Sequence, residues 1–230
     1  MTARYERGRR AAAESGVTIG TAVSLEIVPL FRSKAEKKVI DAGYDPRRLP
    51  PGQYLTEKWP VLHAGSVPHV DLGTWDFRVY GDVDNPIVLD WEQLTSLPSI
   101  EVATDIHCVT RWSRFDTRFR GVHWRELAQL VQPRPSARYV VAHAEQGFTA
   151  NIPLAALEEE NALIAYEADG ETLTPDHGWP LRLVVPSRYF WKSAKWLRGL
   201  ELLARDQPGF WERYGYHNDA DYWNEERYSF

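Results

Sequence analysis

Short apolar segments separated by proline and glycine breakers limit the folds that this sequence can adopt. No apolar run approaches the about 18 residues that a membrane-spanning helix requires, so we expect no stable membrane insertion. Candidate strands and short helices follow one another without the regular strand–helix–strand order of a doubly wound parallel sheet. The pattern predicts an α+β fold with mixed, irregular sheets and short helices.

The individual elements are predicted from local signals. Strands are expected where a short apolar run alternates or is bounded by turn residues: Leu72–Tyr80, Ile100–Val109, Arg138–His143, Phe148–Ile152, Leu163–Glu167, Leu181–Val185 and Lys195–Leu203. Helices are expected where a capping residue or a first-turn proline precedes the run, or a proline closes it: Trp91–Leu97, Trp124–Val131 and Ile152–Glu160.

Composition divides the chain into three predicted parts. Residues 1–50 read as an N-terminal arm that ends at the breaker cluster Pro50-Pro51-Gly52. Residues 51–205 carry the α+β pattern. Residues 206–230 form a tail rich in acidic and aromatic residues. We expect the tail to pack its rings over the domain, with closure over a pocket mouth as the alternative.

Several classes of protein are excluded by composition. A single Cys cannot form an internal disulfide or a C-x-x-C pair. The net charge of −5 argues against a nucleic-acid partner, since such proteins usually carry a basic excess. Arg9-Arg10 faintly resembles a twin-arginine export signal, but Glu14 and Glu26 interrupt the apolar stretch that follows. The sequence therefore predicts a cytoplasmic protein.

Positive charge is concentrated in two segments of this acidic chain. Residues 177–200 contain five basic residues and no acid, and residues 106–120 contain four Arg against one acid. Such clusters face solvent, pair with an acidic segment such as the tail, or bind an anion such as a phosphate. The residues alone leave these readings open.

Cys108 lies near the end of a predicted strand, and Arg111 and Arg114 follow it. A lone Cys in a strand is usually a small buried hydrophobe, but nearby positive charge favours the thiolate, a soft ligand for heavier transition metals. Zinc is disfavoured because neighbouring His107 would point to the opposite face of the strand. A Cys-dependent hydrolase is a further alternative, although the sequence shows neither an oriented His nor an oxyanion hole for it.

Five segments, in the same order, resemble the sulfite-oxidase family of molybdopterin enzymes. Residues 176–186 resemble the family's H-G-x-P-x-R segment, and residues 192–197 its basic-x-x-Lys-Trp-Leu segment. Further parts of the family's sequence pattern are matched by residues 147–170 and by residues 50–63. Cys108 stands where the family keeps its molybdenum-ligating Cys.

The resemblance covers about residues 50–203. It implies a sulfite-oxidase-type fold and a molybdenum–molybdopterin cofactor, with Cys108 supplying a further sulfur to the metal. The implied contacts to the pterin or its phosphate are His63, His177, Arg182, Lys195 and Lys192, the last of which stands where the family often has Arg. Arg188 is added from charge alone, and Arg111 is the candidate catalytic cation beside Cys108.

The implied activity is two-electron transfer of an oxygen atom to or from a small S-oxide, N-oxide or oxyanion. An unidentified electron donor or acceptor completes the reaction. The chain departs from sulfite oxidases at Val61-Leu62, which replace Arg-Asn, and at Trp112-Ser113, which separate two otherwise consecutive arginines. We also expect no C-terminal dimerisation domain and no haem domain. These departures argue against sulfite as the substrate, and a non-catalytic cofactor-binding module of the same fold is the alternative.

Overall fold

Two mixed β-sheets with short connecting helices form residues 33–229, the part of the chain that this computed structural model describes. The predicted α+β class with irregular sheets and short helices is confirmed. Arg9-Arg10 and the first 32 residues of the predicted arm lie outside the described residues.

The described elements are short apart from two long strands. The strands are β1 (Tyr54–Leu55), β2 (Phe77–Gly81), β3 (Ile87–Leu89), β4 (Ser99–His107), β5 (Trp112–His123), β6 (Tyr139–Ala144), β7 (Thr149–Pro153), β8 (Leu163–Ala168), β9 (Glu171–Thr172), β10 (Arg182–Val184) and β11 (Leu197–Leu203). The α-helices are α1 (Lys34–Asp41), α2 (Trp91–Ser96), α3 (Trp124–Val131) and α4 (Leu154–Leu157). Single 3₁₀ turns lie at Pro46–Arg48, Glu145–Gly147, Pro175–His177, Phe190–Lys192 and Glu212–Tyr214.

The first sheet is built around β5, which pairs antiparallel with β4 and with β8. Strand β1 joins β5 in parallel, β10 extends the sheet antiparallel from β8, and β9 also pairs with β8. The second sheet has the order β3-β2-β11-β6-β7 and is antiparallel except between β2 and β11.

The main hydrophobic core takes side chains from both sheets. Phe77, Val140 and Leu200 of the second sheet belong to one buried cluster with Val122 and Ile164 of the first. These side chains have no exposed surface, and burying each of them fully contributes about 1.5–3 kcal/mol relative to leaving it in water. The site described below is built by the turn between β4 and β5, the segment between β9 and β10, β10 itself and the segment that leads from β10 to β11 in the second sheet.

Local capping explains why two of the predicted helices are found as expected. Asp90 caps α2 in a capping box with Gln93, in which each side chain bonds the other residue's backbone N–H. The Nδ1 atom of His123 accepts a hydrogen bond from Arg125 N at the start of α3, and Gln132 ends that helix in the left-handed conformation. Helix α4 is shorter than predicted, because residues up to Pro153 pair in β7.

Strand β5 is the longest element that the sequence analysis does not predict; the short α1, β1, β3 and β9 are not predicted either. Buried Phe115 and Phe119 alternate in β5 with exposed Arg118 and Arg120, which is the period-2 pattern of a half-buried strand. In this segment the alternation is a more informative signal than the excess of positive charge.

The chain on either side of the predicted domain contacts it. Val39 of α1 shares a small core cluster with Leu55 and Phe115, and the Ala220 carbonyl accepts a hydrogen bond from Tyr189 N. The division into arm, domain and tail itself stays a prediction. Within residues 33–229, no helix combines the length and the apolar character needed to cross a membrane.

Candidate functional site

A cavity of about 490 Å³ opens beside Cys108. Its lining includes four of the residues implied to contact a cofactor, namely His63, His177, Arg182 and Lys195. Residues that are up to 132 positions apart in the chain, from His63 to Lys195, therefore meet at one site. The other predicted site residues lie elsewhere: Arg111, Arg188 and Lys192 do not line this cavity.

Cys108 is held in a tight turn at the end of β4. Its N–H donates to the Trp112 carbonyl at 2.9 Å, and its own carbonyl accepts from Arg111 N at 2.9 Å. Arg111 has a φ of 76°, in the left-handed region that non-glycine residues rarely occupy. The Sγ atom lies 3.2 Å from Thr110 Oγ1. The turn thus presents the thiol to the cavity.

The pKa of the Cys108 thiol is raised above its usual value because the thiol is buried. Hydrogen bonds from Thr110 and the charge of Arg227 act in the opposite direction and reduce this increase. The expected effect of Arg111 and Arg114 is not found. Arg111 is exposed, and Arg114 pairs with Asp169 at 2.6 Å. The cation that acts on the thiol comes instead from the tail.

His177 is positioned by a turn that only glycine fits well. Its Nδ1 lies 2.9 Å from Thr174 Oγ1 and its Nε2 lies 3.3 Å from the Trp59 carbonyl. Gly178, with φ of 110°, follows it, and an added Cβ would lie 3.1–3.2 Å from atoms of Arg182 and Lys195. The glycine therefore lets the imidazole turn pack against both cations.

Arg182 and Lys195 are cations without a carboxylate partner among the described residues. Arg182 is 2% exposed, and its guanidinium donates to the carbonyls of His177 and Ser193 at 2.9 and 3.0 Å. Lys195 Nζ donates to the Asp176 carbonyl at 2.8 Å. Burial lowers the pKa of Arg182 to about 9 and, with the nearby charge of Arg182 as a further cause, that of Lys195 to about 8. Buried charges are normally paired, so this end of the cavity is suited to an anion.

Two other predicted cations, Lys192 and Arg188, pair with carboxylates of the tail. Lys192 Nζ lies 2.6 Å from Glu212 Oε1, and Arg188 lies 3.5 Å from Asp219. The basic segment 177–200 therefore contains both kinds of residue: some pair with the acidic tail, and others face the cavity.

The mouth of the cavity is apolar, and sequence reasoning missed most of its residues. The tail contributes Phe210, Trp211 and Tyr216 to the lining, and Val61 and Leu62 stand on the loop before His63. His63 itself is exposed, with Nδ1 at 3.0 Å from the Gly65 carbonyl. The sequence signal that points to the tail is its aromatic content, which is compatible both with packing over the domain and with closure over a pocket mouth.

The alternatives to a molybdenum site find little support in the geometry. The described residues hold no group of three or more His, Cys, Asp or Glu side chains that could bind a metal ion. His107 Nδ1 lies 2.8 Å from Ser113 Oγ, so the neighbouring imidazole is engaged with that hydroxyl and is not oriented as a base for Cys108. The part of the chain that the structure describes therefore offers no zinc ligand set, and His107 does not serve Cys108 as the base of a Cys–His hydrolase.

The donor set fits a molybdenum–pterin cofactor. One thiol suits a soft metal, and two cations with carbonyl partners suit a phosphate. The buried Nε1 atom of Trp112, on the cavity wall, has no hydrogen-bond partner among the described residues. An unpaired buried donor at this position is open to a polar ligand.

Comparisons with known proteins agree with this chemistry. Residues 64–211 match the family described as "Oxidoreductase molybdopterin binding domain". The "Uncharacterized oxidoreductase YuiH" of Bacillus subtilis (strain 168) is 48% identical over 183 residues, which are 79% of this chain and 92% of that protein. The "Sulfite oxidase" of Arabidopsis thaliana is 29% identical over 189 residues, 66% of this chain but only 48% of the plant enzyme.

A solved structure shares the fold. The sulfane dehydrogenase SoxCD of Paracoccus pantotrophus aligns with a TM-score of 0.58 at 20% identity, covering 66% of this chain and 43% of that chain. The sulfite-oxidase-type resemblance and the molybdenum–molybdopterin cofactor predicted from the sequence are thereby confirmed at the level of the family. The chain belongs to the molybdopterin-binding oxidoreductase family.

Proposed function

We propose that this protein is a molybdopterin-dependent enzyme that removes an oxygen atom from a small, uncharged S-oxide or N-oxide. The observation that carries the proposal is that the Cys108 thiol and the cations Arg182 and Lys195 line one cavity. A metal ligand and a phosphate site in a single cavity match a cofactor that has a metal at one end and a phosphate at the other.

Five polar residues of the cavity have a role in binding the cofactor in this proposal. Cys108 would bind the molybdenum, and His63, His177, Arg182 and Lys195 would hold the pterin and its phosphate. When bound, the cofactor supplies two-electron oxygen-atom transfer, and the protein supplies binding, orientation and the local field. A separate electron donor would restore the reduced state.

Charge favours an uncharged substrate over an oxyanion. Among the described residues, Arg182 and Lys195 are the Arg and Lys side chains that line the cavity, and the cofactor phosphate would use both. Val61 and Leu62 are 41% and 53% exposed at the mouth, where a cation would be needed to attract an anion. Arg111 is exposed and lies outside the cavity lining, so the proposal gives it no contact with the substrate.

Tyr216 is the protein's candidate contact to the substrate oxygen. It lines the cavity, and burial raises the pKa of its phenol. The hydroxyl therefore stays protonated at neutral pH and can donate a hydrogen bond. The aromatic side chains beside it would exclude water from the reacting atoms.

Metal analysis and turnover test the proposal together. Protein from a host that makes the cofactor should contain stoichiometric molybdenum and pterin and reduce methyl phenyl sulfoxide, and Cys108→Ser should lose most of this turnover. Val88→Ala, at a position 60% exposed on β3, serves as the control and should keep it. Wild-type protein from such a host without molybdenum would refute the proposal.

A non-catalytic cofactor-binding module is the second candidate, favoured by the lack of a substrate cation at Val61 and Leu62. Reduction with dithionite followed by addition of oxidants separates the two. An enzyme of the proposed kind should be reoxidised rapidly by methyl phenyl sulfoxide or trimethylamine N-oxide, and far more slowly by nitrate. A molybdenum-loaded protein that no compound reoxidises would be a binding module.

A further inference from the structure

Arg227, in the tail, bonds the turn that carries Cys108. Its Nη1 atom donates to the Val109 carbonyl at 2.7 Å, and its Nη2 atom donates to the Pro51 carbonyl at 3.4 Å. Gln53 Nε2 supports the same turn by donating to the Cys108 carbonyl at 3.1 Å. The guanidinium therefore ties the residue next to Cys108 to the segment that precedes β1.

The charge of Arg227 is buried and incompletely neutralised. The side chain is 8% exposed, and its Nε atom has no hydrogen-bond partner among the described residues. The ion-pair partner, Glu225 Oε1, lies 3.6 Å away on a carboxylate that is 49% exposed to water. The Tyr189 ring, whose centroid lies 4.9 Å from the guanidinium carbon, adds a cation–π contact but no negative charge. A net positive charge thus remains behind the Cys108 turn.

We propose that Arg227 is a positioning residue for Cys108: it holds the turn and places a positive charge behind the sulfur, which raises the reduction potential of the metal bound there. This inference rests on the proposed function. A positive charge near the ligand stabilises the reduced, more electron-rich state of the centre, and groups around a ligand sulfur tune metal potentials in this way.

The consequence is a link between the tail and the redox chemistry of the site. The tail supplies part of the cavity wall through Phe210, Trp211 and Tyr216, and it supplies Arg227, which bonds the Val109 carbonyl of the turn. Loss of the charge should make reduction by the electron donor harder, and reoxidation by the substrate easier.

Redox titration of the molybdenum-loaded protein at low ionic strength tests the inference, with the metal signal followed by paramagnetic resonance. Arg227→Gln should shift the midpoint potential to a more negative value. Arg227→Lys keeps the charge and should stay closer to the wild type. Glu225→Gln removes the partial counter-charge and leaves the Arg227 bonds in place, so it should shift the potential in the opposite direction, to a more positive value.

A merely structural role would not produce these opposite shifts. The control is Arg134→Gln, since Arg134 is exposed and paired with Asp84 outside the cavity lining; it should leave the potential unchanged. A wild-type potential in Arg227→Gln would overturn the inference. If that variant does not retain molybdenum, Glu225→Gln decides alone, and an unchanged potential there is the contrary result. Wild-type protein without molybdenum would instead refute the proposed function.

Discussion

Lys192 and Lys195 are three residues apart and lie in opposite surroundings. Lys192 Nζ contacts Glu212 at 2.6 Å and Asn151 Oδ1 at 2.8 Å, and both charged side chains are almost fully buried. Lys195 Nζ bonds the backbone carbonyl of Asp176 and lines the cavity. Burial lowers the pKa of each amine. The difference shows that the first lysine is committed to the fold, and the second is available to a ligand.

Breaking the buried ion pair between Lys192 and Glu212 should lower the stability of the protein more than any other change proposed here. In Lys192→Met, Glu212 is left as a buried carboxylate without its cation, and the loss of one partner of such a pair costs about 3–5 kcal/mol. We expect a lower free energy of unfolding by that amount, measured by urea denaturation of the cofactor-free protein.

The double variant Lys192→Met with Glu212→Met is the control, since replacing both charges with apolar groups is often close to neutral. It should recover much of the lost stability. A single variant as stable as the wild type would show that the ion pair does not hold the tail to the domain.

Removing the available lysine should weaken ligand binding without weakening the fold. Lys195→Met takes away no partner of a protein carboxylate, and it removes a charge whose burial is unfavourable, so the free energy of unfolding of cofactor-free protein should not fall. A hydrogen bond to a charged group contributes about 1.5–3 kcal/mol, so cofactor affinity should fall about 10-fold or more. Pterin and molybdenum content after dialysis measures this, and unchanged retention would remove Lys195 from the proposed site.

The sequence predicts elements whose signals are local. Helices α2 and α3 are found within a residue of the predicted bounds, because Asp90, Pro98 and Pro133 mark where they begin or end. Strand β5 is not predicted although its alternation is equally local, because its arginines are interpreted as an excess of positive charge. The physical error lies in weighing charge before periodicity.

The site was predicted in part, and the rest depends on long-range contacts. His177, Gly178 and Arg182 are recognisable because the turn, the glycine and the strand are consecutive. Nothing near Lys192 in the sequence indicates that Glu212 lies against it. Arg227 is likewise not predicted as a residue of the site, because it reaches the Cys108 turn from 119 residues away in the chain.

The pH dependence of stability is a further test of the difference between Lys192 and Lys195, and its expected effect on the free energy of unfolding is the smallest of the predicted effects. Burial lowers the pKa of Lys195 to about 8 from a model-peptide value of 10.5. Between these two pH values the unfolded chain binds more protons at this residue than the folded chain, so the free energy of unfolding should rise with pH. Above about pH 10.5 neither state is protonated, and the penalty of burying the charge is gone.

Urea midpoints of cofactor-free wild type and Lys195→Met, measured at pH 7.5 and pH 9.5 (about 0.5 unit below and 1.5 units above the folded pKa), isolate this contribution. The variant lacks the titrating amine, so its urea midpoint should rise less, or fall more, between pH 7.5 and pH 9.5 than that of the wild type. The affinity for inorganic phosphate should move the other way, falling in the wild type as Lys195 loses its charge. Parallel pH profiles for the two proteins would mean that Lys195 does not titrate in this range, and its amine would then resemble an ordinary solvated lysine.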